Sequence, residues 1–325
     1  MALDIAPTLR SNITDFPNGV TSFGIPVIGS GAGIPVTTGS YFFVDSSLGL
    51  SGNAGTSPST ALATVDQAIN KCTAGKGDVI VCMPGHAEAV TATSIALDVA
   101  GVQVVGLGFG LNRPTFTYTS ATGSTITVSA ANCSWRGCHF IGNLDNVVTA
   151  FTIGAAKDFV LSGNTFADNS NALHFLSIVT VGTTDNAADG LQVAGNSWWG
   201  LAVAPAAFIS ITGDLDRLVV ADNFAQMAST DDEGHFITLT ADTVRAARIL
   251  RNMLDVTGST GAAVGIFLTG SATDCSGVCA YNLVASLDTT AELITTAGTG
   301  LRFFENYYTG TADASGKLWP VVDVA

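Results

Sequence analysis

The sequence predicts an all-β protein built as a parallel β-helix, a solenoid of short strands stacked coil upon coil. Three observations predict it. An asparagine recurs at one place in a repeated pattern, as Asn164, Asn196, Asn223, Asn252, Asn282 and Asn306, with Cys138 in that place one copy earlier; the mean step is 28 residues. Each copy reads as a short apolar strand, a small or polar residue, the asparagine and a second apolar strand, as in Val193-Ala194-Gly195-Asn196-Ser197-Trp198. Charged residues make up only 12%, about half the usual share of roughly 25%, so long amphipathic helices would lack their polar outer faces.

A period of about 20–50 residues marks a solenoid or an array. Helical repeats are excluded because no unit holds two amphipathic helices. A propeller blade needs about 40 residues and four strands. Two or three short strands in 28 residues fit one coil. Stacked coils lie about 4.8 Å apart, so equivalent residues sit above one another, apolar where they point inward and small or polar where they point out. A recurring asparagine then stacks its amide on the next, and asparagine tolerates the left-handed backbone of tight turns. The expected role of the six asparagines is this structural turn ladder.

Taken in order, residues 1–40 are punctuated by proline and glycine and have no period, so they read as an arm ordered only by lying on its own domain, a sister chain or a partner. Residues 41–125 read as the start of the solenoid. Tyr41–Asp45 is a strand, followed by a Gly/Ser loop and the one good helix, roughly Ala61–Cys72, capped by Thr60 or Ser59 and ended by Gly75 and Gly77. Asp78–Met83 and Val102–Gly106 are further strands. Residues 126–310 hold the repeated coils, with second strands at Phe175–Val179, Phe208–Thr212, Phe236–Thr240, Gly265–Thr269 and Leu293–Thr296; residues 311–325 form a tail.

Twelve Lys+Arg against 26 Asp+Glu give a net charge of −14, which speaks against nucleic acid as a partner, since phosphate contacts need clustered basic residues. The uncharged stretch Phe16–Val44 contains Pro17, Pro26 and Pro35 and reads as no membrane helix. The opening residues show no basic and apolar leader, so folding in the cytosol is expected. There the six cysteines (72, 82, 133, 138, 275 and 279) are expected as buried free thiols. The spacings Cys133/Cys138 and Cys275/Cys279 match no zinc ribbon, and neither a metal nor a cofactor is expected.

The stretch from Tyr41 to Glu88, with its strand, capping helix and Pro84-Gly85-His86-Ala87-Glu88 turn, resembles the opening of right-handed parallel β-helix proteins of the pectate-lyase-like type. In this form it is similar to β-helix proteins of tailed-phage virions. The resemblance covers about residues 41–310 and implies a fold that hosts lyases, hydrolases, adhesins and structural proteins alike.

Lyases of that fold use acidic calcium ligands with an Arg or Lys base, and hydrolases use paired carboxylates. Against those patterns, Arg217, Arg245, Arg248 and Arg251 near Asp214, Asp216, Asp222 and Asp242 read most simply as outward salt bridges. Asp231, Asp232 and Glu233 form the densest acidic run and are the runner-up catalytic group, though a solvated loop is the plainer reading. Asp185-Asn186-Ala187-Ala188-Asp189-Gly190 lacks the alternating ligands of a calcium loop. His86 and Glu88 read as a turn with Glu88 capping, while His139, His174 and His235 are scattered and form no triad.

The resemblance, the aperiodic arm and the sparse charge imply a bacteriophage virion structural protein: a homotrimer decorating or cementing the capsid surface, held to the major capsid protein or another virion protein through residues 1–40, and not an enzyme. Trp198, Trp199, Tyr307, Tyr308 and Trp319 would cover the coils or a protomer seam. The alternatives are a tail-spike-like polysaccharide depolymerase and a non-catalytic adhesin for a host-surface glycan.

Overall fold

A computed structural model describes residues 34–92, 95–201, 207–227, 234–240, 243–256, 265–270, 274–286 and 300–309, with short strands at Thr21–Ser22, Ile25–Pro26 and Lys317–Leu318. The chain is a parallel β-solenoid with three faces. The first face runs through Tyr41–Val44, Val79–Cys82, Gln103–Gly106, Ser134–Arg136, Val160–Ser162, Gln192–Ala194, Val219–Ala221, Thr243–Leu250, Asp274–Ala280 and Leu301–Phe304. The second runs through Ala87–Val90, Thr115–Tyr118, His139–Gly142, Thr165–Asp168, Ser197–Trp199, Phe224–Met227, Met253–Val256, Leu283–Ser286 and Tyr307–Thr309. The third runs from Ala96–Leu97 through Ile126–Val128, Phe151–Ile153, Ser177–Val181, Ala207–Ile211 and Gly234–Leu239 to Gly265–Gly270. Neighbouring strands within these faces pair in parallel; Lys317–Leu318 closes the second face antiparallel to Tyr307–Thr309.

Strand alternation explains the core. Phe116, Phe140 and Phe166 face inward from successive coils and stack at ring separations of 5.4 and 4.9 Å. Trp135 crosses edge-on against Phe116 and Phe151, and all five rings are fully buried. Each such side chain contributes about 1.5–3 kcal/mol of burial.

The six asparagines are buried in one column at the turn between the first and second faces. Each Oδ1 accepts the backbone N–H of the residue in this place one coil earlier, from Cys138 onto Asn164 (3.0 Å) to Asn282 onto Asn306 (3.1 Å). The side-chain amides of the first five also donate to the next Oδ1 at 2.9–3.2 Å. A second donation reaches back to a strand carbonyl of the preceding coil, such as Val193 for Asn223 (2.8 Å). The left-handed residue of the turn is not the asparagine but the one before it: Gly137, Gly163, Gly195, Asp222, Arg251, Tyr281 and Glu305 all have positive φ. The asparagine contributes its amide, and the small or polar residue before it absorbs the backbone twist.

The helix is shorter than its sequence pattern suggests. It spans Val65–Ile69 with Thr64 as N-cap, after a 3₁₀ turn at Pro58–Thr60. Ala61 and Leu62 are drawn away into backbone bonds with Leu50, Asp45 and Phe43, because Leu62 bridges to Val44 at the solenoid's end. Residues 34–40 lie on the first face: Thr37 Oγ1 donates to the Gly77 carbonyl, Tyr41 Oη donates to that of Pro35, and Ile34 packs on Val79, Val81 and Val105. The strand expected at Leu293–Thr296 and most of the arm lie outside the described residues.

Candidate functional site

Stacking places the groups singled out in the sequence as follows. Asp231, Asp232 and Glu233 lie outside the described residues. His86 is buried, and the Glu88 side chain is only 6% exposed. His86 Nε2 meets Glu88 Oε2 at 3.1 Å, and the same oxygen accepts the Val65 N–H at 2.9 Å, so Glu88 caps the helix in a sealed place. Arg217 pairs with Asp158, Arg245 with Asp274 and Arg251 with Asp222, across coils at 3.1, 3.0 and 2.7 Å on open surface. In the Asp185–Gly190 loop, Asp185 accepts the Asp214 N–H and Asp189 accepts that of Asp216, the latter also meeting Lys157 at 3.3 Å, so these carboxylates bind neighbouring coils. His174 is pinned between Asn171 and Asn146. All six cysteines are free thiols; burial pushes Cys72 and Cys279 up to about 12. Among the described residues, no three His, Cys, Asp or Glu side chains are grouped to hold a metal ion, and no helix is long and apolar enough to cross a membrane.

The arrangement with chemical potential is one that spacing does not announce. On the outer side of the second face, register stacks Thr115, His139, Thr165 and Ser197 in one column and Thr117, Ile141, Ala167 and Trp199 in the next. A projecting turn, Gly110–Asn112, walls this surface on one side with Phe109 and Leu111. Its entry is fixed by Gly108, at φ +103, where a Cβ would lie 2.3 Å from the Asn112 carbonyl. Trp199 stands further along the solenoid, leaning on Phe224 at a ring separation of 5.0 Å. Between them is a groove of about 520 Å³ lined by Phe109, Leu111, Arg113, His139, Thr165 and Trp199. Phe109 is 86% exposed and Trp199 51%.

The polar floor is a small network. Arg113 Nη1 donates to Thr165 Oγ1 at 3.1 Å, and His139 Nδ1 lies 2.7 Å from the same hydroxyl. Burial, and then the charge of Arg113, hold His139 below its ordinary value, so the ring is neutral at physiological pH. The chain beside Trp199 is held by buried Asp168, whose carboxylate accepts the Leu201 N–H at 2.7 Å, the Phe175 N–H at 2.9 Å and the Trp198 indole N–H at 3.5 Å. Burial raises the Asp168 pKa, against these donors. Trp198 itself points into the core, so of the Trp-Trp pair only Trp199 faces outward. Aligning the residues just after each asparagine position would have brought His139, Thr165 and Ser197 together; nothing in the sequence marks Phe109 and Leu111 as their wall.

These features define a parallel β-solenoid with an aromatic-flanked, cationic groove on one outer face. No family model matches the chain, and no curated protein does. Among solved structures it is similar to a rhamnogalacturonan lyase, with a TM-score of 0.43 and 14% identity over 88% of this chain and 90% of that one. It is also similar to a GH136 lacto-N-biosidase from Eubacterium ramulus, with a TM-score of 0.48 and 11% identity over 84% of this chain. The chain spans 64% of that biosidase. At these identities the likeness is one of fold. Both matched proteins carry the names of enzymes, a lyase and a biosidase, so the expectation that the chain is not an enzyme is not kept.

Proposed function

We propose that the chain is a carbohydrate-active protein that binds an acidic polysaccharide in the groove of the second face and cleaves it by elimination. One observation carries the reading: a neutral imidazole and a guanidinium share the Thr165 hydroxyl on the floor of a groove flanked by exposed aromatic rings. Aromatic faces stack on the C–H faces of sugar rings, and an arginine is matched to a carboxylate. Hydrolysis by a carboxylate pair does not fit the groove, because among the described residues no Asp or Glu lines it.

In the proposed step, Arg113 neutralises the carboxylate of a uronate residue, which acidifies the C–H beside it. His139, with Nδ1–H donating to Thr165, takes that proton on Nε2. The C–H electron pair becomes the new C=C bond, the bond to the glycosidic oxygen on the next carbon breaks, and the departing oxygen takes a proton from water. Positioning and charge neutralisation supply the rate.

The reading corresponds to the depolymerase named among the alternatives above. The capsid seat expected through residues 1–40 falls mostly outside the described residues and lends it no support. The test is incubation with a panel of uronate-containing and neutral polysaccharides, following the ultraviolet absorbance of the unsaturated product. Absorbance should rise with a uronate polymer and disappear in His139→Ala. New reducing ends without that absorbance, or no turnover on any uronate polymer, would overturn the elimination.

A further inference from the structure

A second cleft lies on the first face, on coils that partly overlap those of the groove on the second face. It is lined by Asp158, Gly190, Gln192, Arg217, Val219, Ala246 and Arg248 and has a volume of about 210 Å³. Two columns of the solenoid make it. Gln192, Val219 and Arg248 are register partners on successive coils and share one column. Asp158, Gly190, Arg217 and Ala246, each two positions earlier in its coil, form the turn column, all at positive φ. Small residues at two of these turn positions open the space. Arg217 reaches past the coil of Gly190 to Asp158, and a Cβ on Gly190 would fall 2.1 Å from Asp158 Oδ1. Beside Ala246 the pairing with the next strand shifts register, a bulge that breaks the regular surface.

Charge gives the cleft its chemistry. The protein carries a net −14, yet five of its twelve basic residues are Arg217, Arg245, Arg248, Arg251 and Arg302. Arg217, Arg245 and Arg251 are each neutralised by a carboxylate. Arg248 has no carboxylate partner among the described residues, and it borders the cleft beside Arg217, the Gln192 amide and the apolar Val219.

We propose that this cleft is a binding site for a carboxylate, of the kind borne by uronic acids and other small organic acids. Arg248 supplies the planar fork and Gln192 reaches a neighbouring polar group of the ligand, while Arg217 is held by its pair with Asp158. The site stands independently of catalysis on the second face, since no residue is shared between the two.

The experiment is calorimetric titration of the full chain with sodium acetate, sodium glucuronate and glucose at ionic strength held constant with chloride. Acetate and glucuronate should bind saturably and glucose should not. Arg248→Gln should weaken both acids more than tenfold. Asp158→Asn, which releases Arg217, should tighten them. Arg251→Gln, an exposed arginine outside the cleft, should leave them unchanged. Absence of saturable binding, or equal weakening by Arg248→Gln and Arg251→Gln, would overturn the proposal.

Discussion

Replacing Asn223 by alanine tests how the coils are held together. Asn223 is buried at the middle of the ladder. Its Oδ1 accepts the Asn196 backbone N–H at 3.0 Å and the Asn196 side-chain amide at 3.1 Å; its own amide donates to the Val193 carbonyl at 2.8 Å and to Asn252 Oδ1 at 2.9 Å. Asn252 Oδ1 keeps the Asn223 backbone N–H, so it stays satisfied. Two groups lose this partner outright, the Asn196 N–H and the Val193 carbonyl; the Asn196 side-chain amide loses one bond and keeps the one to the Leu161 carbonyl at 2.9 Å. At about 1–3 kcal/mol for each of the two buried groups left unpaired, the loss comes to about 2–6 kcal/mol. That is a large part of the about 5–15 kcal/mol that holds a typical domain. Asn164→Ala, at the start of the ladder, removes an acceptor from only one group, the Cys138 N–H, and should cost less. Urea unfolding gives the two values. Because a solenoid opens coil by coil, hydrogen exchange at the Asn196 amide gives the local one. A loss below about 1 kcal/mol for Asn223→Ala, or unchanged protection of Asn196, would refute the argument that unpaired amides dominate.

Four further predictions concern backbone, thiols and groove. Gly163→Ala should cost about 1–2 kcal/mol for its left-handed φ alone, since nothing meets its Cβ; Gly137→Ala should cost more, its Cβ falling 2.8 Å from the Gly106 carbonyl, and melting temperatures will rank the two. Cys279, at about 12, should resist a thiol-labelling reagent at mildly alkaline pH until denaturant is added; rapid labelling of the folded protein would contradict its burial. The His139 ring should titrate by NMR below the usual imidazole value of about 6.5, and turnover should fall as acid protonates it; Arg113→Gln removes one of the two causes and should move that midpoint to higher pH. Trp199→Ala should raise KM for polysaccharide without lowering the melting temperature, because the ring is half exposed and lies outside the core.

The solenoid was legible because stacking imposes a repeat on the chain: residues in one column face the same demand, and the asparagine answers it six times. The capping helix was legible in place but not in length, since apolar spacing over residues 61–72 cannot show that Leu62 is pulled into a bridge with Val44. The recurring asparagine suggests that it carries the twist; the bonds require its amide instead and leave the twist to its predecessor, even where that is Tyr281. The groove was not legible. His139 and Thr165 are 26 residues apart and become neighbours only through strand register. Three of the arginines form surface pairs, as their sequence suggests, but Arg217 bonds Asp158, 59 residues away, rather than the nearby Asp214 or Asp216.

The central claim is that a saccharide lies on the second face between Phe109 and Trp199. A crystal of inactive His139→Ala soaked with an acidic oligosaccharide tests it most directly. Sugar rings should stack on those two side chains with a carboxylate on Arg113. An oligosaccharide bound along the third face or the asparagine turn, with the groove empty, would contradict it.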